Sequence, residues 1–302
     1  MNRMFRLRTL AGACALLACA SFATARDGKR VFVAVDMEGI AGVVTDAQLG
    51  PEGFEYARFR ELMTEEANAA LAAAREAGVT EFVVVDSHGN YQNLLPDKLA
   101  PDAQLLRGGP RPLGMMQGID ASFDAAIFIG YHASTVNPEG VRAHTFSSAN
   151  LADVKVNGRS ITEGSWGAAI AGHFGVPVVA VSGDEAAVKE VQAGVPGIEG
   201  AVVKWPQAFH SARNLSPEAA RQVIRDAVRK GLARRKEIAP LRVETPVRVE
   251  VRFKSYRPAE VASWHPSIER VDAHAVRYTA KDMAEAARTM SFLLAFRADL
   301  TP

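Results

Sequence analysis

The chain has 302 residues, 48% of them hydrophobic, with 35 basic and 34 acidic side chains. That is enough apolar material for one large core or two smaller ones, and the near-balance of charge leaves no basic surface for nucleic acid or another polyanion. The only two cysteines, Cys14 and Cys19, fall in the first 25 residues, so without that segment catalysis must use histidines, carboxylates, hydroxyls or a metal.

Residues 1–25 differ in kind from the rest. Arg3, Arg6 and Arg8 precede an apolar run from Leu10 to Ala20, and Ala23-Thr24-Ala25 gives a small-x-small cleavage signal before Arg26. This is the pattern of a secretory signal peptide, too short to span a membrane. An uncleaved anchor is the alternative, and Leu16-Leu17-Ala18-Cys19 faintly matches a lipidation site at Cys19. Cleavage after Ala25 removes three arginines and no acids, leaving 32 basic against 34 acidic residues and a net charge of −2. The mature protein is expected to begin near Arg26 and to be periplasmic or secreted, with no stable membrane insertion.

From there strand and helix patterns alternate. "RVFVAVD" is a strand, and "YARFRELMTEEANAALAAAREAG" has helical apolar spacing ending on Gly78 as a C-cap. "EFVVVDSHG" and "DAAIFIGYHA" are further strands, each closing on a histidine. "LADVKVNGRSI" carries the Asn157-Gly158 hairpin signal. "TEGSWGAAIAGHFG" predicts a helix from Glu163 to Gly175, and "VPVVAVSGD" the next strand. Continuous apolar strands alternating with helices imply an α/β fold with a mostly parallel sheet flanked by helices. After about residue 215 the texture changes. A basic helix pattern over 216–237 is followed by "RVEVRFKS", "RVDAHAVRYTA" and a last helix near Lys281. The expected domains are therefore 26–215, carrying the chemistry, and 216–302, a smaller C-terminal α/β unit.

The chemistry-bearing residues sit at strand ends. Asp36 and Glu38 follow the first strand, His88 the second and His132 the third. Residues i and i+2 of a strand share a face, so the two acids repel unless something cationic lies between them. Open parallel sheets bind ligands outside the carboxyl ends of their strands, where these four groups can converge, with Glu163 as a fifth. Histidines and carboxylates together form a ligand set for zinc or a similar divalent ion. Taken singly, each such residue is more often structural, and Asp86 can simply cap the turn beside Ser87 and His88. His173 near a helix C-terminus suits the helix dipole, and His210, His265 and His274 read as structural or surface residues.

"VDMEGIAG", "MTEEAN", "DSHG", "GYHA", "TEG" and "VSGDE" occur in an order and spacing that resembles the bacterial zinc D-aminopeptidase family, over nearly the whole chain from residue 31 onward. The resemblance implies two zinc ions per chain held by Asp36, Glu38, His88, His132 and Glu163, with Asp36 suited to bridge. It implies that His144 is catalytic rather than a ligand. It also implies a ring-like homo-oligomer, with ten subunits as one option, and small peptides as substrates. The expected activity is an exported metal-dependent aminopeptidase acting on peptides with an N-terminal D-amino acid, through a hydroxide bridging the two ions. His144 would give the leaving amine its proton, stabilise the oxyanion or act as nucleophile. The alternatives are a di-zinc amidohydrolase on another small amide and an exported peptide-binding protein without catalysis.

Overall fold

The computed structural model describes residues 29–296, so the leader pattern, Cys14 and Cys19 lie outside the described residues. Along the chain run β1 (Lys29–Val35), α1 (Tyr56–Glu76), β2 (Val79–Asp86), β3 (Ala103–Leu106), β4 (Ala125–Tyr131), β5 (Leu151–Val156), β6 (Arg159–Ser160), α2 (Glu163–His173) and β7 (Val178–Asp184). They are followed by α3 (Glu185–Gly194), β8 (Glu199–Ala208), β9 (Ser211–Asn214), α4 (Pro217–Ala233), β10 (Val247–Phe253), α5 (Tyr256–Ala262), β11 (Ile268–Arg270), β12 (Ala275–Ala280) and α6 (Met283–Ala295). No described helix is long and apolar enough to cross a membrane.

Seven strands form one sheet in the order β3-β2-β1-β4-β7-β8-β9. All neighbours pair in parallel except β9, which returns antiparallel to β8. Pleating sends alternate residues of β1 to opposite faces. Val31, Val33 and Val35 pack in the core built with α1 and α4, while Phe32 and Ala34 pack in the one built with α2, α6 and the second sheet. Burial on both faces explains why these strands read as unbroken apolar runs. The chain winds outward from β1 to β2 and β3, then restarts on the other side of β1 with β4. The direction reverses between β1 and β4, and a crevice at the carboxyl ends of those strands is the expected ligand site.

The second sheet is antiparallel, in the order β11-β12-β10-β5-β6. Its β5–β6 hairpin turns on Asn157 (φ 48°) and Gly158 (φ 84°), two left-handed residues as a tight hairpin requires. A division of the chain at residue 215 does not follow the sheets. β5 and β6 come from before that point, and β5 pairs with β10 while β6 forms the sheet edge beyond it, whereas α4 comes after it and packs on α1, β7 and β8. The two units are interleaved in sequence, because strand partnership is decided by long-range packing rather than by chain order.

Candidate metal centre

Each predicted residue sits where a strand or helix ends. Asp36 follows β1, and its amide donates to Ile129 O on β4 at 2.8 Å. Gly39 donates to Gly130 O at 2.7 Å. The backbones approach so closely that a Cβ on Gly39 would lie 2.1 Å from Tyr131 O, and one on Gly130 (φ +76°) would lie 2.2 Å from Asp36 O. Two glycines thus bring the ends of β1 and β4 together, and with them Asp36 and His132. His88 ends the adjacent β2. Glu163 opens α2 behind the N-cap Thr162, whose hydroxyl accepts from Ser165 N, and a carboxylate suits the positive end of a helix.

The six side chains meet in one buried cluster, none more than 9% exposed. His88 Nδ1 lies 2.9 Å from Glu38 Oε2 and 3.3 Å from Asp36 Oδ1, so an imidazole stands between the two acids that would otherwise repel. His132 Nε2 lies 3.4 Å from both Asp36 Oδ2 and Glu163 Oε1. His144, in the loop after β4, places Nε2 3.7 Å from Glu163 Oε1 and 3.9 Å from Glu38 Oε1. Burial opposes the protonated form of His88 and His132, but the carboxylates overrule it. Glu38 and Asp36 hold His88 well above its ordinary pKa, and Glu163 and Asp36 do the same for His132. Burial and then Glu38 raise Asp36. Glu38 and Glu163 sit low despite burial, held chiefly by His88 and His132 respectively.

The donor set fits a metal. The other ring nitrogen of each histidine meets a backbone carbonyl: His88 Nε2 at Leu49 O (2.8 Å), His132 Nδ1 at Ala133 O (3.0 Å) and His144 Nδ1 at Arg142 O (2.8 Å). A carbonyl there takes one N–H and turns the other nitrogen toward the cluster, so that its lone pair is aimed at a metal once that nitrogen gives up its proton, as metal-ligating histidines require. Asp36 Oδ2 and His132 Nε2 are buried with no hydrogen-bond partner, although buried polar atoms normally have one. Three overlapping triads place a ligand atom from each member within 4.8 Å of the others: Asp36-Glu38-His88, Asp36-His132-Glu163 and Glu38-His132-His144.

Sequence reasoning missed the support behind the cluster. Lys204 on β8 is fully buried. Its ammonium donates to Glu38 O, to Ile40 O at 3.1 Å and to Val43 O at 2.6 Å, tying down the loop that carries Glu38. Burial lowers its pKa to about 8. Glu66, from "MTEEAN", accepts from Ala41 N at 3.0 Å and is raised to about 7 by burial. Asp86 accepts from the amides of Asn93 (2.5 Å) and Leu94 (2.7 Å), so it shapes the loop after His88 and stays out of the cluster. Arg142 Nη1 donates to His210 Nε2 at 2.9 Å, beside the Arg142–Asp46 ion pair at the rim of the cleft. The cleft over the cluster encloses about 360 Å³.

Comparison with known proteins gives the chain's family and fold. The family model of the M55 peptidases, described as D-aminopeptidase, matches residues 29–292. A D-aminopeptidase of Bacillus subtilis (strain 168) is 34% identical over 262 residues, covering 86% of this chain and 95% of that protein. The solved structure of the Zn-dependent D-aminopeptidase DppA from Bacillus subtilis, a self-compartmentalizing protease, superposes with a TM-score of 0.85 at 33% identity, over 90% of this chain and all of that one. With the family model spanning nearly every described residue, the chain belongs to the M55 family of D-aminopeptidases.

Proposed function

We propose that this chain is a zinc-dependent aminopeptidase that removes N-terminal D-amino acids, D-alanine among them, from short peptides or amides. The observation that carries this reading is the set of three overlapping buried triads, whose histidines turn their free nitrogens inward. Zinc is the metal of the Bacillus subtilis relative, and mixed imidazole and carboxylate donors suit it. We assign two ions per chain to Asp36, Glu38, His88, His132 and Glu163. Asp36, with Oδ1 toward His88 and Oδ2 toward His132, would be the carboxylate that both ions share.

Bound there, zinc would supply Lewis-acid polarisation of a scissile carbonyl and a water acidic enough to ionise near neutrality. The chain's own residues do the rest. Arg142 O fixes the tautomer of His144 and leaves Nε2 toward the cluster. Burial holds its pKa low, so the neutral ring can accept a proton and deliver it to the leaving amine. Lys204 and Glu66 hold the loop bearing Glu38 from behind.

The leader pattern of residues 1–25 supports export, and D-alanine peptides released from cell wall are the substrates that a periplasmic enzyme of this kind would meet. A ring-like homo-oligomer is supported by the self-compartmentalizing relative and by the exposed aromatic rings of Trp264, Phe292 and Phe296, since apolar patches commonly mark interfaces. The test is hydrolysis of D-Ala and L-Ala p-nitroanilides by protein stripped with chelator and reloaded with zinc. D-selective activity should be absent after stripping and return with about two equivalents. Activity that survives complete removal of metal, or a preference for the L-substrate, would overturn the reading.

A further inference from the structure

The cleft continues beyond the metal cluster. Tyr91, Met115, Phe146 and Leu294 line both the hollow over the cluster and a second one of about 320 Å³, whose far side is formed by Arg111, Trp166 and, from α6, Met290. Helix α6 belongs to the second sheet's unit, so that unit supplies a wall of the same cleft.

Arg111 is the unusual member of that wall. It is 6% exposed, and its guanidinium reaches only neutral carbonyls. Nε donates to Gly108 O, Nη1 to Asp86 O at 3.0 Å and Nη2 to Leu106 O at 3.5 Å. Among the described residues no carboxylate forms an ion pair with it, and the Asp86 side chain is taken up by Asn93 and Leu94. Tyr91 lies flat beneath it, ring centroid 4.2 Å from the guanidinium carbon, held at φ 61° where a non-glycine residue is strained. Asp86 steadies the charge electrostatically without forming an ion pair with it, and of the five guanidinium donors three are given to carbonyls, leaving one N–H on each of Nη1 and Nη2, a pair that matches the two oxygens of a carboxylate. The cleft thus has a metal-binding end and a cationic end, separated by apolar side chains.

We propose that Arg111, seated on Tyr91, receives the free C-terminal carboxylate of a short peptide whose N-terminal residue lies at the metal cluster. Trp166 and Met290 face the side chain beyond the scissile bond. The inference rests on the aminopeptidase reading and adds a length rule to it. A peptide residue spans at most about 3.3–3.6 Å, so only peptides of a fixed, small number of residues can reach both ends.

The test compares a D-alanine dipeptide with the same dipeptide amidated at its C-terminus, using the zinc-loaded full chain. The wild type should favour the free acid by at least about tenfold in kcat/KM, mostly through KM. Arg111→Met should bring that ratio close to one. Ser291→Asp, on the partly exposed rim of the same hollow, introduces a competing anion without removing a buried group and should lower the ratio too. Equal use of acid and amide by the wild type, or an unchanged ratio in Arg111→Met and Ser291→Asp, would overturn the carboxylate assignment alone. Failure to cleave either dipeptide would overturn the aminopeptidase reading and this assignment with it.

Discussion

His132 and His144 lie face to face, ring centroids 4.0 Å apart and planes 9° from parallel. Two imidazoles so placed repel if both are charged. The chain resolves this by dividing the proton. In the metal-free chain Glu163 and Asp36 favour a protonated His132 against the pull of burial, while burial and then His132 favour a neutral His144. Neighbouring groups with pKa values pushed apart are the usual mark of divided roles in a site.

If His144 handles the proton of the leaving amine, His144→Ala should keep its metal and its fold while kcat falls roughly 10²–10⁴-fold, the usual range for general acid–base catalysis. Metal content and kcat are measured on one sample. Loss of metal in parallel with rate would make His144 a ligand instead.

Asp36 shows one oxygen to His88 and the other to His132. Asp36→Ala should therefore lose more bound metal than His88→Ala or Glu163→Ala, read by elemental analysis after identical dialysis. Full occupancy in Asp36→Ala would end its bridging role.

Acidity should act on the metal-free and metal-loaded proteins differently. His88 and His132 have folded pKa values raised well above the ordinary 6.5. Their contribution to the metal-free fold is complete below about pH 6.5 and is lost as pH rises through the raised values. Metal must displace those protons, so binding releases protons and tightens as pH rises. The gap in Tm between loaded and stripped protein should widen from pH 6 to pH 9. A gap that narrows over that range contradicts the assignment.

Lys204→Met should be among the costliest single changes. It strands the carbonyls of Glu38, Ile40 and Val43 and leaves Glu66 and Asp184 without their buried cation. Removing one partner of a buried charge set costs about 3–5 kcal/mol. Urea unfolding of the stripped protein reads that loss, and a chelator titration should show metal leaving at lower chelator concentration. Unchanged metal retention would show that the loop carrying Glu38 holds itself.

Asp36, His88 and His132 were legible because they terminate strands buried on both faces, where an apolar run followed by a charge is a strong signal. Glu163 was legible as the start of the helix that follows the Asn157-Gly158 hairpin. Lys204 was not, since a lysine within "VVKWP" reads as an ordinary outward-facing strand residue. Its burial exists only because the loop after β1 folds over the end of β8. The short β3 and α3 gave too few residues for a periodic pattern. The sheet partnership of β5 was hidden for a different reason: Val156 finds Val249 across three helices and four strands, and no local spacing encodes that.

That partnership bears on how the molecule is made. β5 lies in the chain between His144 and Glu163, yet it is clamped by β10, which leaves the ribosome only after α4. A nascent chain that has emerged through Glu163 already carries all six side chains of the cluster but lacks the strand that fixes the span between the last two. Metal capture is therefore expected to be a late, post-translational event, and a product stopped before Val247 would carry every donor and still lack a formed centre.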